Sequence, residues 1–443
     1  MMTLRIRATL LLAAACLPSL AIAQDEAIKI ADSSELTQTA PKKADSKTLT
    51  LEKALNIGLA QSPRLAMFQS ARGIAGGELQ QAGALKNPEL SVNSQFIGGN
   101  KQYRVVNPRQ NFYGLSQVVE SGGKVNKRER IASSGVLIAD LEYQNAALEL
   151  IHDITIAYAD VIAAQENVAL AEERRKLAKE VLSSISERVA AAAAPQIQQN
   201  RADMQLSLAD IAYDRAKRDL ESSRKALAAL MGETKLSTSL SAKSFYSLAK
   251  PPKPEDTNLP EDTPEMRWHD QQLTQSRQKL SLERANALPD PRIDVGITEI
   301  SGVNGRALTV GLAVPIPVLN ANRGNIEAAR HGVKLMEEKM REAGYVHGME
   351  LEKASQRMQS AYNQANTLKK RVIPAAQKSF GLAREGYVAG RFLYLDVLDT
   401  QRGLFDAKQQ YIETLRDYHA AKAGVELLMA KNLGLLAAKG ESK

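Results

Sequence analysis

The chain has 443 residues, a formal charge of +8, 24% charged residues and a single cysteine, Cys16. One cysteine excludes a cysteine-based metal cage and a disulfide framework. The basic and acidic residues are interspersed along the chain, often three or four apart as on solvated helical faces. That pattern excludes the concentrated basic stripe of a nucleic-acid binder.

Arg5 and Arg7, an apolar run from Ala8 to Leu20, and Ala21-Ile22-Ala23 before Gln24 read as an export signal over residues 1–23. Cleavage after Ala23 removes Cys16. The competing reading takes Ala13-Ala14-Ala15-Cys16 as a partial lipobox, without the usual Leu, and makes Cys16 a lipidated N-terminus. No later stretch of about 18 apolar residues is present, so any crossing of a membrane falls to strands. Residues 24–48 are polar and irregular, and are expected to form an arm or linker.

A capping-box-like Thr50-Leu51-Glu52-Lys53 predicts a helix start, and Ser62-Pro63 restarts the helix. After Asn87-Pro88, Leu90, Val92 and Phe96 alternate with Ser91, Asn93 and Gln95, which predicts a strand. Residues 123 to about 190 lack proline and repeat apolar positions at helical spacing. A helix of about 65 residues is roughly 100 Å long. A second long helix is expected over 196–231, followed by a connection over 233–262 that contains Lys250-Pro251-Pro252-Lys253-Pro254 and Leu259-Pro260.

The same order then recurs. Thr263-Pro264 opens a helix that ends at Asp290-Pro291. Ile293, Val295 and Ile297 alternate with Asp294, Gly296 and Thr298, and Leu308, Val310, Leu312 and Val314 alternate with Thr309, Gly311 and Ala313. A helical stretch from Arg323 towards Gly386 carries Pro374, where a kink is expected. A last helix covers 393–433, and 435–443 is a tail. The repeats are therefore 49–232 and 263–434, and Ala82-Gly83-Ala84-Leu85-Lys86-Asn87-Pro88 aligns with Ala285-Asn286-Ala287-Leu288-Pro289-Asp290-Pro291.

Four strands cannot close a barrel, for which about 8 is the usual minimum, so the chain is expected to oligomerise. The strand alternation fits lipid outside and a wet lumen inside, and fits a one-sided soluble sheet equally well. The helices decide between them: their length suits coiled-coil-like assembly and no compact soluble domain. Strands, an export signal and such helices imply a barrel with a long periplasmic helical extension.

Glu385-Gly386-Tyr387-Val388-Ala389-Gly390, continuing through Leu395-Asp396-Val397-Leu398-Asp399-Thr400-Gln401-Arg402, resembles the TolC-like outer-membrane efflux factors over nearly all of the mature chain. Val119-Glu120-Ser121-Gly122-Gly123-Lys124, with Pro315-Ile316-Pro317-Val318-Leu319-Asn320, resembles the heavy-metal (cobalt–zinc–cadmium) branch of that family. Glycines there allow backbone geometry that other residues resist, which marks Gly122, Gly123 and Gly390 as turn residues.

The resemblance implies a mixed α/β membrane protein: a homotrimeric, twelve-stranded outer-membrane β-barrel, four strands per chain, continued by a periplasmic α-helical barrel. It implies outer-membrane lipid around the strands, a periplasmic adaptor, an inner-membrane resistance-nodulation-division pump and transported cations as partners. Drug efflux or type I protein secretion on the same fold is an alternative cargo. A soluble periplasmic coiled-coil adaptor is the alternative of another class.

Asp396 and Asp399 match the family's acidic entrance positions, where threefold symmetry turns each into a carboxylate ring favouring cations. Asp near a helix start also caps exposed amides, whatever its further role. Tyr387 resembles the residue that holds the entrance shut, and Arg391 stands one position before the usual gating arginine. Gln198 stands where some members place a lock-forming aspartate. In the first repeat Ala190-Ala191-Ala192-Ala193-Ala194-Pro195 replaces the customary glycine turn, so a less sharply left-handed tip is expected. The histidines His152, His269, His331, His347 and His419 are dispersed, and His269 near Met266 is the nearest approach to a metal-binding pair. No HExxH, phosphate-binding glycine loop or GxSxG is present. Neither an enzyme nor a bound cofactor is expected.

Overall fold

The computed structural model describes residues 48–98, 102, 108–236, 238–252, 262–301 and 305–434. The export signal, residues 24–47, Leu259-Pro260 and the tail 435–443 lie outside the described residues.

In chain order the elements are β1 (Thr48–Leu49), α1 (Leu51–Gln61), α2 (Pro63–Ala82), β2 (Glu89–Gln95), β3 (Gln110–Val118), α3 (Lys124–Ala190), α4 (Gln196–Leu230) and β4 (Ser239–Leu240). The second half contributes α5 (Pro264–Asn286), β5 (Arg292–Ile300), β6 (Gly305–Ala313), α6 (Arg323–Thr367), α7 (Ile373–Val388) and α8 (Tyr394–Leu428). Both halves begin with the same device. Thr50 Oγ1 accepts the Lys53 N–H at 3.4 Å, and Thr263 Oγ1 accepts the Met266 N–H at 3.3 Å. Pro63 and Pro264 occupy first helical positions, where a missing N–H costs nothing.

The 67-residue α3 is unbroken. Its counterpart in the second half is split by a π turn, Leu368–Val372, just before Pro374. Proline removes one intrahelical donor and crowds the preceding turn, and the wider π turn absorbs both effects.

β2, β3, β5 and β6 form one antiparallel sheet in that order, and β2 and β6 are its two edges. The register places Leu90, Leu115, Val295 and Val310 in one row, with Val92, Tyr113, Ile297 and Leu308 in another. Every one of these side chains is exposed. The opposite face carries Ser91, Gly114, Gly296 and Thr309 in one row, and Ser116, Asp294 and Gly311 in another. Phe112 lies across Gly114 and Gly296, and a Cβ on Gly296 would stand 2.5 Å from its ring.

The segment expected to be a featureless arm ends in structure. Thr48 and Leu49 pair in parallel with Ser239 and Leu240, so the arm and the inter-repeat connection share a small sheet. Two-residue strands are too short to show periodicity, which is why the sequence pattern missed them. Tyr158 Oη donates to the Leu49 carbonyl at 3.0 Å, and Tyr418 Oη donates to the Ala249 carbonyl at 2.7 Å. Beneath them Leu150, Ile154 and Ile162 of α3 pack with Leu227, Met231, Phe245 and Leu415. Each such buried side chain contributes about 1.5–3 kcal/mol. A second core joins Leu351 and Met358 of α6 to Tyr418 and Val425 of α8, and a third, around Ile185, Ala202 and Tyr394, closes the far end of the helices.

Candidate functional site

Both long helices end in the same hydrogen-bonded turn. After α3, the Ala193 N–H reaches the Arg188 carbonyl at 2.7 Å and the Ala192 N–H reaches the Val189 carbonyl at 3.0 Å. After α7, the Arg391 N–H reaches the Gly386 carbonyl at 2.7 Å and the Gly390 N–H reaches the Tyr387 carbonyl at 3.0 Å. The left-handed residue is Gly390 (φ +71°) in one and Ala192 (φ +58°) in the other. The expectation of a less left-handed alanine tip is therefore corrected. Closing the helix end with two backbone bonds outweighs the cost of placing an L-residue there, about 1–2 kcal/mol.

The side chains of the two turns meet. Tyr387 Oη donates to Gln198 Oε1 at 3.1 Å, joining α7 to α4. The Arg188 guanidinium lies 4.8 Å from the centroid of the Tyr387 ring, and the Tyr394 ring is 5.8 Å away. Tyr394 is 3% exposed, and its hydroxyl has no hydrogen-bond partner among the described residues. Burial pushes its pKa up to about 12, helped by Tyr387 and opposed by Arg201. Sequence reasoning named Tyr387 and Gln198 separately and missed Arg188 and Tyr394. The signal for Tyr394 was apolar spacing, since it shares a helix face with Val397 and Leu398.

Asp396 accepts the Leu393 N–H at 2.9 Å, which fixes the start of α8. Asp399 lies one turn nearly complete beyond it, beside Leu395, Arg402, Arg174 and Phe405 along a shallow hollow of about 250 Å³. Both carboxylates are exposed, as is the Arg391 side chain.

At the other end of α3, Gly122 and Gly123 take φ of +67° and +66°, and a Cβ on Gly122 would meet Leu288 at 2.8 Å. The residues around them lock the two repeats together. Lys124 Nζ contacts Asp290 at 2.7 Å and the Leu288 carbonyl at 2.8 Å, and the Ser121 N–H donates to Asp290 at 2.8 Å. Arg128 grips both carboxylate oxygens of Glu120. The Gly-Gly-Lys step and the Asp-Pro step are thus two halves of one lock, which their 160-odd residues of separation concealed.

Among the described residues no group of three or more His, Cys, Asp or Glu side chains is set to hold a metal. His347 has a different role. It is 3% exposed, with Nδ1 3.0 Å from Glu265 Oε2 and Nε2 2.9 Å from the Leu428 carbonyl. Nε2 therefore carries a proton, which it donates to the Leu428 carbonyl, while Nδ1 lies within ion-pair distance of Glu265 without hydrogen-bond geometry. The Glu265 contact accordingly holds the His347 pKa above its ordinary value against the effect of burial, with help from the Leu428 carbonyl and Glu350. The same contact lowers Glu265.

A family profile described as outer membrane efflux protein matches residues 54–233 and 259–431, one stretch for each repeat. The chain belongs to this family. It lies in the outer membrane, and no described helix is long and apolar enough to cross a bilayer. The cobalt-zinc-cadmium resistance protein CzcC of Cupriavidus metallidurans is 26% identical over 416 residues, 94% of this chain and 96% of that protein. The nickel-cobalt-cadmium resistance protein NccC of Alcaligenes xylosoxydans xylosoxydans is 27% identical over 280 residues, 62% of each. Among solved structures, CusC, described with transmembrane channel formation, gives a TM-score of 0.73 at 17% identity, covering 86% of this chain and 91% of that one. The open state of the Neisseria gonorrhoeae MtrE outer membrane channel gives 0.68 at 19%, covering 86% and 88%. These likenesses establish the fold: a strand sheet continued by long helical hairpins.

Proposed function

We propose that three copies of the chain join their sheets edge to edge into a twelve-stranded barrel, and that the assembly is a passive exit duct for divalent heavy-metal cations such as cobalt, zinc, cadmium or nickel. The observation that carries the reading is the sheet itself. It has open edges at β2 and β6, an apolar row outward and a polar row inward. Open edges in lipid leave backbone groups unsatisfied, and closure by further copies satisfies them. The cargo is argued from relatives named for resistance to cobalt, zinc, cadmium and nickel.

In this reading an inner-membrane resistance-nodulation-division pump supplies the energy and a periplasmic adaptor couples it to the duct. The Tyr387–Gln198 contact holds the entrance turns together, and Asp396 and Asp399 form carboxylate rings there. Weak, repeated cation contacts favour entry without slowing exit, consistent with carboxylates on an open surface.

Growth of a strain lacking the gene, across zinc, cobalt, cadmium, nickel, copper and silver beside a drug panel, tests the cargo. Sensitivity to particular metals, restored by complementation, is expected. Sensitivity to drugs alone would keep the duct and overturn the cargo. An adaptor, by contrast, would give no heat-sensitive trimer in outer-membrane extracts.

A further inference from the structure

The lipid-facing row of β6, Leu308, Val310 and Leu312, does not stop where the strand stops. The alternation continues through Val314, Ile316 and Val318, and the chain then exposes Leu319 completely. Ile316 and Val318 are each 80% exposed. No charged residue lies between Arg306 and Arg323.

The backbone of this stretch is poor in free donors. Pro315 and Pro317 have no N–H, and the Val318 N–H is returned to the Ile316 carbonyl at 2.9 Å. Three of the six positions over 314–319 thus offer lipid no free N–H. Polar groups resume at once: the Asn322 N–H donates to Asn320 Oδ1 at 3.0 Å, and the Asn322 side chain donates to Glu283.

The apolar band also needs the extension. β3, β5 and β6 have nine residues and β2 seven, so the sheet stands at the short end of the about 9–11 that a tilted transmembrane strand takes. On β6 the outward apolar run from Leu308 to Leu312 covers only about 13 Å, against an apolar band about 25 Å tall. At its outer end the run meets the polar row Asn111, Glu299 and Arg306, so it can lengthen only towards the periplasm. Running on to Ile316 doubles it.

Resting on the barrel reading above, we propose that residues 314–319 are a lipid-contact element seated in the periplasmic leaflet of the outer membrane, with phospholipid acyl chains as partner. The Pro-Ile-Pro-Val-Leu segment then sets how deeply the barrel sits, and Asn320 and Asn322 mark the water boundary.

The test uses full-length channel in which Trp268→Phe removes the only tryptophan, with Ile316→Trp or Val318→Trp added, reconstituted in bilayers of dibrominated phosphatidylcholine. Val310→Trp serves as the lipid-facing control and Leu335→Trp, exposed on α6, as the aqueous one. Both segment tryptophans are expected to be quenched to the extent of the Val310→Trp control on its apolar strand face. Leu335→Trp is expected to keep its emission. Segment tryptophans that stay bright while Val310→Trp is quenched overturn the proposal. A blue-shifted but unquenched emission overturns it too, and seats the segment on a second copy of the chain. If either tryptophan prevents assembly, a nitroxide on Leu319→Cys, in a channel with Cys16 replaced, reports the same contrast. Access to oxygen over a water-soluble nickel chelate supports lipid, and the reverse overturns it.

Discussion

The two repeats build one topology by different chemistry. The return helix of the first repeat, α4, ends in apolar burial, with Leu227, Ala228 and Met231 fully enclosed. The return helix of the second, α8, ends on a buried titratable group, His347, set between Glu265 and the Leu428 carbonyl. The first long helix is continuous and the second is split by a π turn. Apolar packing is insensitive to pH and hard to loosen locally, whereas a buried histidine whose pKa a neighbouring carboxylate raises responds to it. The second repeat, which also carries Tyr387, Asp396 and Asp399, is therefore the adjustable half.

Breaking the His347 anchor should have the largest effect. His347→Ala is expected to cost about 3 kcal/mol, because it leaves the Leu428 carbonyl unpaired and opens a cavity. The wild-type pH profile follows from the two shifts. The His347 pKa is raised, so its contribution is full below the ordinary histidine value and is lost as pH rises through the higher folded value. The Glu265 pKa is lowered, so its contribution is lost as pH falls through the lower folded value. The groups facing the pair are Glu350 and His269, with Lys339 acting on His269. Thermal unfolding of purified channel should be steadiest between those limits, and His347→Gln should flatten its alkaline limb. An alkaline limb unchanged in that variant would show that the anchor does not titrate.

The two turns offer a reciprocal pair of substitutions. Gly390→Val places a branched side chain at φ +71° and is expected to destabilise by about 2 kcal/mol. Ala192→Gly relieves an L-residue at φ +58° and is expected to stabilise by about 1 kcal/mol. Denaturation midpoints measured side by side check both. If Ala192→Gly destabilises, the alanine turn is held by packing that its backbone does not reveal.

The elements with strong periodicity were legible in the sequence. The long helices, the β5 and β6 alternation and the capped helix starts at Thr50 and Thr263 all lie close to their expected places. Three features were not legible, each for a physical reason. β1 and β4 owe their existence to a pairing across about 190 residues and to Tyr158, which bonds the Leu49 and Ser241 carbonyls, and two residues carry no period. Ala192 adopts a left-handed conformation that composition argues against, because the turn's hydrogen bonds repay the strain. Lys124 and Asp290 were both visible as motif members, but nothing local announces that one is the other's partner. The entrance constellation divided the same way: Tyr387 and Gln198 drew attention through resemblance, while Arg188 and the buried Tyr394 depended on tertiary contact.

That constellation supplies a smaller test. Tyr387→Phe removes the hydroxyl that donates to Gln198 and should cost about 1 kcal/mol. Gln198→Ala should cost a similar amount, and the double variant no more than either alone, since both delete the same bond. Single-channel conductance in planar bilayers should rise in all three if the bond helps hold the entrance closed. Full additivity would mean that Tyr387 and Gln198 act through separate neighbours.

The smallest stability effects belong to the two acidic residues, and they separate capping from conduction. Asp396 accepts the Leu393 N–H at the start of α8, so Asp396→Ala should cost about 0.5 kcal/mol. Asp399 makes no such bond among the described residues, and Asp399→Ala should leave stability unchanged. Both substitutions should nevertheless lower cation selectivity, measured as reversal potential in a salt gradient, because a ring of carboxylates acts through its charge and not through the helix it caps. Asp396→Asn discriminates further: its amide oxygen can still accept the Leu393 N–H, so stability returns while the charge does not. Selectivity restored together with stability would reduce Asp396 to a helix cap, leaving Asp399 as the only carboxylate of the pair able to act on passing cations.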